Sequence, residues 1–294
     1  MLKQKEKTWF DSLRVVKDVR NLDETPFFSI LVRMKNEEKM LPHFIKSLSA
    51  QLTSYNYELI FLDSESKDNS VEIVMENCKN FIIYAINANE FSFSKTCNFL
   101  VECARAPNCI LLSAHIEMIG DDFLQRLGEE IEKGSECGYF RQVVNHNNGY
   151  SLYDVLTLNK SFPARKETKI FSMADKIGLR FSNAGSFFKT NLAIETAFPD
   201  VAASEDFLWA ISVIDKNHHV HYIPSLTIAH SHNESLKDIT KRVNINKRVL
   251  YGDKPAYKKS FIMFVVLFLM LLFSGSGLKK SCAYASAHAK GYLK

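Results

Sequence analysis

The chain reads as an α/β protein built on a largely parallel sheet, and three observations predict it. Short, mostly apolar runs at residues 27–32, 57–62, 81–86 and 109–113 have the length of strands covered on both faces. Between them apolar residues recur at helical spacing, as at Leu41, Phe44, Ile45, Leu48 and Leu52. Runs and helical stretches alternate through short loops, the pattern of strand–helix–strand units, whose ligands sit at the carboxyl ends of the strands.

Taken in order, the strand at 27–32 feeds the helix containing Leu41. The strand at 57–62 feeds a helix with Asn69 as N-cap and Glu72 three residues later, a capping-box-like pair. A strand at 81–86, a helix at 94–104, a strand at 109–113 and a helix at 123–131 follow. The regularity fades after Tyr139. Residues 145–180 are polar and weakly periodic, and 160–176 reads as a mobile substrate loop rather than a core element. The pattern resumes near Arg180, with a helix opening on Glu205 and apolar strand segments at 220–223 and 223–229.

Composition narrows the function. With 294 residues, 46% hydrophobic and 24% charged, the chain holds one large α/β domain with an appendage, or two modest domains. A net charge of +4 and a pI near 8.6 are too mild to argue for nucleic acid. Cys78, Cys97, Cys103, Cys109, Cys137 and Cys282 form no CxxC pair, which suits a reducing cytosol and argues against a disulfide framework or zinc ribbon. Residues 1–20 lack the apolar stretch of a secretory signal. Residues 261–273 are wholly apolar and the run stays uncharged to Leu278, 18 residues bounded by Lys258-Lys259 and Lys279-Lys280. That is the lower limit for a spanning helix; an interfacial helix, or one pairing with another chain, fits equally. The excess lysine at both ends favours association with an anionic membrane surface, a solvated surface being the plain alternative. No GxxxxGK[ST], GxGxxG or GxSxG pattern is present, which disfavours P-loop, dinucleotide and serine-hydrolase chemistry.

Several side chains could carry chemistry. Asp63 ends a strand, where its carboxylate can accept from a pyrimidine N3–H or ribose hydroxyls; turn formation is its plain alternative. Glu205 and Asp206 open a helix, where acids also complement the dipole. His230 and His232 alternate by two after an apolar strand, which places both imidazoles on one face. Lys95 and Asn98 share a helix face at i and i+3. Trp209, one turn beyond the acidic pair, is placed either for stacking on a sugar or for core packing.

In order along the chain stand Val32-Arg33-Met34-Lys35-Asn36-Glu37-Glu38, Leu62-Asp63-Ser64 with Ser66 and Asp68-Asn69-Ser70, then Glu90-Phe91-Ser92-Phe93-Ser94-Lys95 with Asn98. Leu112-Ser113-Ala114-His115, Phe140-Arg141-Gln142, Phe181-Ser182-Asn183-Ala184, Glu205-Asp206 with Trp209, and His230-Ser231-His232-Asn233 complete the series. This ordered set, over residues 27–235, resembles the inverting glycosyltransferase family 2, in particular bacterial enzymes that build surface polysaccharides such as O-antigen and capsule. The resemblance implies a GT-A fold and single-displacement transfer of a sugar from a nucleotide diphosphate donor. It divides the chain into a basic extension (1–26), a GT-A domain (27–235, its nucleotide-binding half 27–143 and its acceptor half 144–235) and a C-terminal helical, membrane-associating region (236–294).

The same resemblance assigns the base to Asp206 with Glu205 orienting it or contacting the acceptor. It gives the donor Arg33, Asn36, Glu37, Asp63, Lys95, Asn98 and Ser113, and the acceptor Trp209, Arg141 and Asn183. Where the family carries Asp-x-Asp for a magnesium or manganese ion, this sequence reads Ser113-Ala114-His115. His115 and His232 are then the candidate ligands of a divalent cation, or direct donors to the diphosphate; Glu117 is a further possible oxygen ligand. The implied partners are a nucleotide sugar, a glycan or lipid-linked acceptor and the cytoplasmic face of the inner membrane, without nucleic acid. The apolar tail leaves a homo-oligomer open. Two other readings stand beside this one: a GT-A-shaped scaffold that no longer catalyses, and a nucleotidyltransferase, whose glycine- and lysine-rich first loop is missing.

Overall fold

The computed structural model describes residues 9–232 and 234–293. Residues 1–8 of the basic extension, Asn233 of the histidine motif and Lys294 lie outside the described residues. The elements run β1 (Arg14–Asp18), β2 (Phe28–Met34), α1 (Leu41–Ser49), β3 (Tyr57–Asp63), α2 (Ser70–Asn77), β4 (Phe81–Ala85), α3 (Phe93–Cys103) and β5 (Asn108–Ser113). Next come β6 (Glu117–Met118), α4 (Phe123–Glu132), β7 (Cys137–Val143), α5 (Leu152–Ser161), β8 (Lys169–Phe171), β9 (Gly185–Lys189), α6 (Thr190–Glu195), α7 (Glu205–Asp215) and β10 (Val220–Ala229). Three helices follow: α8 (Leu236–Tyr251), α9 (Tyr257–Phe273) and α10 (Leu278–Gly291).

The strands form one mixed sheet in the order β1-β4-β3-β2-β5-β9-β7-β10-β6, with β8 also on β10. Its centre, β4-β3-β2-β5, is parallel, while β9 runs antiparallel to both β5 and β7. Successive side chains of a strand point to opposite faces, so a continuous apolar run serves two cores at once. Leu31, Ile60 and Leu62 face α3, α6 and α7, packing with Leu100, Leu192, Trp209 and Val213. Ile30, Val32 and Phe61 face α1, α2 and α4, packing with Phe44, Val74 and Leu127. A third cluster joins α5, α8, α9 and α10 through Tyr153, Val243, Leu267 and Leu271.

Two expectations need correction. The irregular segment 145–180 holds α5 and β8, and the part read as a loop, 160–176, begins inside α5 and contains β8. The start of α5 is fixed by a complete capping box, in which Ser151 Oγ accepts from the Asp154 N–H and Asp154 accepts from the Ser151 N–H. At α2, Asn69 stands at the N-cap, but its side chain donates to Glu38 and no capping box forms. Among the described residues no helix is long and apolar enough to cross a membrane. The apolar run becomes α9, of 17 residues, with one side packed on its neighbours.

Pro224 interrupts β10. It has no N–H for the ladder, and the register against β7 shifts between Ile223 and Thr227. Beyond the irregularity Ala229 pairs with Val143, and the His230 N–H donates to the Val143 carbonyl at 2.7 Å. The strand end is thereby pinned between β7 and β6, the short strand that follows His115, and there the histidine motif meets His115.

Candidate active site

The carboxyl ends of β2, β3 and β5 lie side by side: Met34 is in register with Asp63, and Arg33 with Ser113. Two cavities open there. One, of about 300 Å³, is lined by residues including Lys35, Glu37, Ser64, Phe91 and His115. The other, of about 600 Å³, is lined by residues including Asn183, Glu205, Asp206, His230, His232 and Arg242. Arg33, Phe93 and Ser113 line both, so the two are one cleft with a shared waist.

The acidic pair is held by backbone geometry. Ser204, which caps α7, sits in the left-handed region at φ 60°, a conformation that costs a serine about 1–3 kcal/mol. The helix therefore starts abruptly, with Glu205 and Asp206 in its first turn. The Asp206 carboxylate accepts from the N–H groups of Asn183 (3.1 Å) and Phe207 (2.7 Å). Glu205 is buried and faces the Arg33 guanidinium at 3.7 Å; that cation also lies over the Phe93 ring, 5.1 Å from its centroid. Burial, and then the Glu205 charge, push the Asp206 carboxyl up to about 7, against the opposing pull of its two backbone donors and Arg33. A carboxylate with that proton affinity, on a cavity wall, is suited to take a proton near neutral pH.

The second cluster is three imidazoles. His115 follows β5 on a tight turn in which the Ile116 N–H donates to the Ser113 carbonyl. Its ring centroid lies 5.1 Å from that of His230 and 4.9 Å from that of His232, and ligand atoms of all three lie within 4.8 Å of one another. His115 Nδ1 is 2.8 Å from Glu37 Oε1, and a carboxylate can only accept there, so in neutral His115 the proton is on Nδ1 and Nε2 presents a lone pair. His230 Nδ1 lies 3.0 Å from Gln142 Oε1, which as placed fixes the same tautomer. The two Nε2 atoms then face each other at 3.2 Å, lone pair to lone pair, unless a cation lies between them. Turning the Gln142 amide over yields a metal-free alternative, a His230 Nε2–H···Nε2 bond to His115. Burial, and then the His232 and His115 imidazoles, hold His230 well below the ordinary histidine range. His232 keeps an open edge at the cavity rim, and the protein packed around the rest of its ring, followed by His115, brings it down to about 4.

The donor chemistry decides which ions this trio fits. Three neutral imidazoles suit a borderline first-row transition-metal ion, whereas Mg²⁺ asks for oxygen donors. The nearest carboxylate, Glu37, is tied to His115, in the manner of an outer-shell partner that orients a ligating ring. Glu117 accepts from Asn147 and does not join the group.

Of the residues singled out from sequence, Arg33, Glu37, Ser113, His115, Asn183, Glu205, Asp206 and His232 line the cleft. Others are spent elsewhere. Asp63 is buried and accepts from the N–H and hydroxyl of Ser66, with Ser64 lining the cavity in front of it. Asn36 accepts from the Lys67 N–H through its amide oxygen. Asn98 clamps the backbone of Phe198 with both ends of its amide. Lys95 is exposed on the first turn of α3 and, like Arg141, lines neither cavity. Asn183 uses its side chain on Cys97 and Ser186, and its contribution to the cleft is the N–H that holds Asp206.

Trp209 requires a correction. It is fully buried, its ring stacks on Phe198 at 5.0 Å, and its indole N–H donates to the Thr196 carbonyl, so no face is left for a sugar. Trp209→Ala is expected to cost about 3–5 kcal/mol of stability, read from denaturant unfolding, while Trp209→Phe leaves acceptor KM unchanged. Sequence reasoning left His230 out of the ligand set although it shares a strand face with His232, did not pair Gln142 with it, and missed the α8 residues Asp238, Lys241 and Arg242 in the cavity lining. His230 was visible as half of a His-x-His pair; the α8 residues carried no pattern that tied them to the cleft.

A mixed sheet with a parallel core, whose strand ends meet an acidic pair and a divided cleft, is the GT-A glycosyltransferase fold. The family model Glycosyl transferase family 2 matches residues 29–189, over half of the chain, and the chain belongs to that family. The acidic pair and the His230 motif lie beyond the matched segment. Comparison with curated protein sequences finds no significant match. Among solved structures, residues 1–349 of TarS from S. aureus in complex with UDP are 18% identical, with a TM-score of 0.56 over 85% of this chain and 73% of that one. The chain spans 44% of a longer TarS structure. The mannosyltransferase PcManGT from Pyrobaculum calidifontis, in complex with GDP-Man and Mn²⁺, is 12% identical, with a TM-score of 0.55 over 92% of this chain and 72% of that one. At these identities the likeness is one of fold.

Proposed function

We propose that the protein transfers one sugar, with inversion, from a nucleotide diphosphate donor to a glycan or lipid-linked glycan in the synthesis of a bacterial surface polysaccharide, at the cytoplasmic face of the inner membrane. The observation that carries this reading is Asp206, a carboxylate of raised proton affinity on the wall of the larger cavity, one waist away from the cavity at the strand ends. The smaller cavity receives the nucleotide and the larger one the acceptor. The acceptor oxygen attacks the anomeric carbon from the Asp206 side and forms the new C–O bond. Its proton passes to Asp206, and the bond to the diphosphate breaks with its electron pair leaving on the nucleotide. Arg33, at the waist, keeps Glu205 paired and lies where the departing charge develops. A divalent cation held by His115, His230 and His232 would screen the charge of the leaving diphosphate.

The test is calorimetric titration of the folded protein with UDP, dTDP and GDP, with Mn²⁺, with Mg²⁺ and with EDTA. Binding of one nucleotide supports the reading and names the donor class. Absence of binding by all three, in protein with a cooperative unfolding transition, overturns it in favour of a non-catalytic scaffold.

A further inference from the structure

The last 41 residues hold seven lysines and no acidic residue, whereas the preceding 253 carry a net charge of −3 from the remaining 30 basic and all 33 acidic side chains. That charge brackets one helix. On α9 the residues turned inward, Ser260, Leu267 and Leu271, follow helical spacing and pack on the α5–α8–α10 cluster. The opposite side is apolar as well: Phe261 is 70% exposed, Ile262 48%, Leu269 41% and Phe273 83%. These four, with Val265 between them, recur at intervals of three and four and form a continuous stripe. Lys258 and Lys259 stand at one end of the stripe, Lys279 and Lys280 just beyond the other. Exposed Tyr251 and Tyr257 flank the first pair, and the Lys259 ammonium lies 3.5 Å from the Tyr251 ring centroid.

An apolar stripe of this length on a single helix, closed at both ends by lysine and at one of them by tyrosine as well, has the chemistry of a bilayer boundary. Aromatic rings and aliphatic side chains enter the acyl region, while ammonium groups meet lipid phosphates. A soluble face of this hydrophobicity would be an aggregation liability. At 17 residues the helix is about 26 Å long, and its inner side is committed to protein, so it lies in the interface rather than across it. We infer that α9 docks the protein flat on an anionic lipid surface, with the Phe261–Ile262–Leu269–Phe273 stripe inserted and the lysines on the headgroups. The inference rests on the transferase reading only in its consequence. The α8 residues that wall the acceptor cavity are bonded to α10 through Thr240 and Asn244, and α10 to α9 through Ser260. Docking therefore holds the acceptor cavity one helix from the lipid surface, where a lipid-linked acceptor is presented.

Flotation of the purified full chain with vesicles of phosphatidylcholine alone, and with 30 mol% phosphatidylglycerol, tests it. Binding to the anionic vesicles is expected to exceed binding to the neutral ones at least tenfold and to fall with salt. The double variant Leu269→Glu/Phe273→Glu should lose at least tenfold, and Lys279→Gln/Lys280→Gln a smaller factor, confined to the anionic vesicles. Circular dichroism and nucleotide calorimetry on the same variants separate this outcome from misfolding and from failure of the transferase reading. Three results would overturn the inference: no binding by folded wild-type protein at low salt, equal binding to both vesicles, or a dimer abolished by Leu269→Glu/Phe273→Glu without vesicle binding. The last would make a second copy the occupant of the stripe.

Discussion

Replacing Asp206 by asparagine is expected to lower kcat by a factor on the order of 10²–10⁴, the range lost when a positioned general base is removed. Nucleotide affinity should stay within about twofold, because Asp206 lines the larger cavity and not the smaller one. The Asn183 and Phe207 N–H groups bond separate oxygens of Asp206 and the amide keeps only one acceptor, so a thermal unfolding curve of the variant accompanies the assay to show that the loss is chemical. The pH dependence has a definite sign. Because burial and Glu205 raise the Asp206 carboxyl to about 7, the base is protonated and idle at acid pH, and kcat/KM should rise through that region. The limb belongs to the Glu205–Asp206 pair rather than to either member. Glu205→Gln removes the repelling charge and should move the limb to lower pH. Arg33→Gln removes the opposing cation and should move it higher. Rate profiles of the three proteins check this, and a limb that stays near pH 4 in the wild type would remove Asp206 from the role of base.

The parts of this site that were legible in the sequence are those whose signal is local. β2, β3 and β5 announce themselves because strands buried on both faces are apolar at most positions, buried Ser29 and Glu58 being exceptions, and Arg33 and Ser113 follow from where those runs stop. Glu205 and Asp206 stand at a helix start, and the family resemblance supplied their role. What failed was the reading of side chains whose partners are distant in sequence. Asn98 meets Phe198 across 100 residues, and Trp209 meets Phe181, Phe188 and Phe198 in a core that no local periodicity reveals. β1, with all five residues exposed on a sheet edge, has no apolar pattern to detect. For α5 the capping signature Ser151-x-x-Asp154 was present, but its helix has only one buried residue, Tyr153, and so little periodicity.

The imidazole cluster yields the second large effect. Titration of Co²⁺ or Zn²⁺ into the nucleotide-free protein is expected to give one saturable site, and Mg²⁺ at the same concentration none, because three nitrogen donors suit borderline ions and not hard ones. His115→Ala and His230→Ala should each abolish the site, since each removes one of two lone pairs that otherwise face each other at 3.2 Å. Glu37→Gln should weaken it by about 10–100-fold, the usual cost of losing an outer-shell partner that orients a ligating ring. The distinction matters because the family resemblance implies a carboxylate where this chain has His115, and such an exchange alters which ion can serve there. If metal binding survives His230→Ala unchanged, the pair is held by the His230 Nε2–H···Nε2 His115 hydrogen bond instead. The histidines would then be left as direct donors to the diphosphate, and nucleotide binding would persist in EDTA and weaken on removal of either ring.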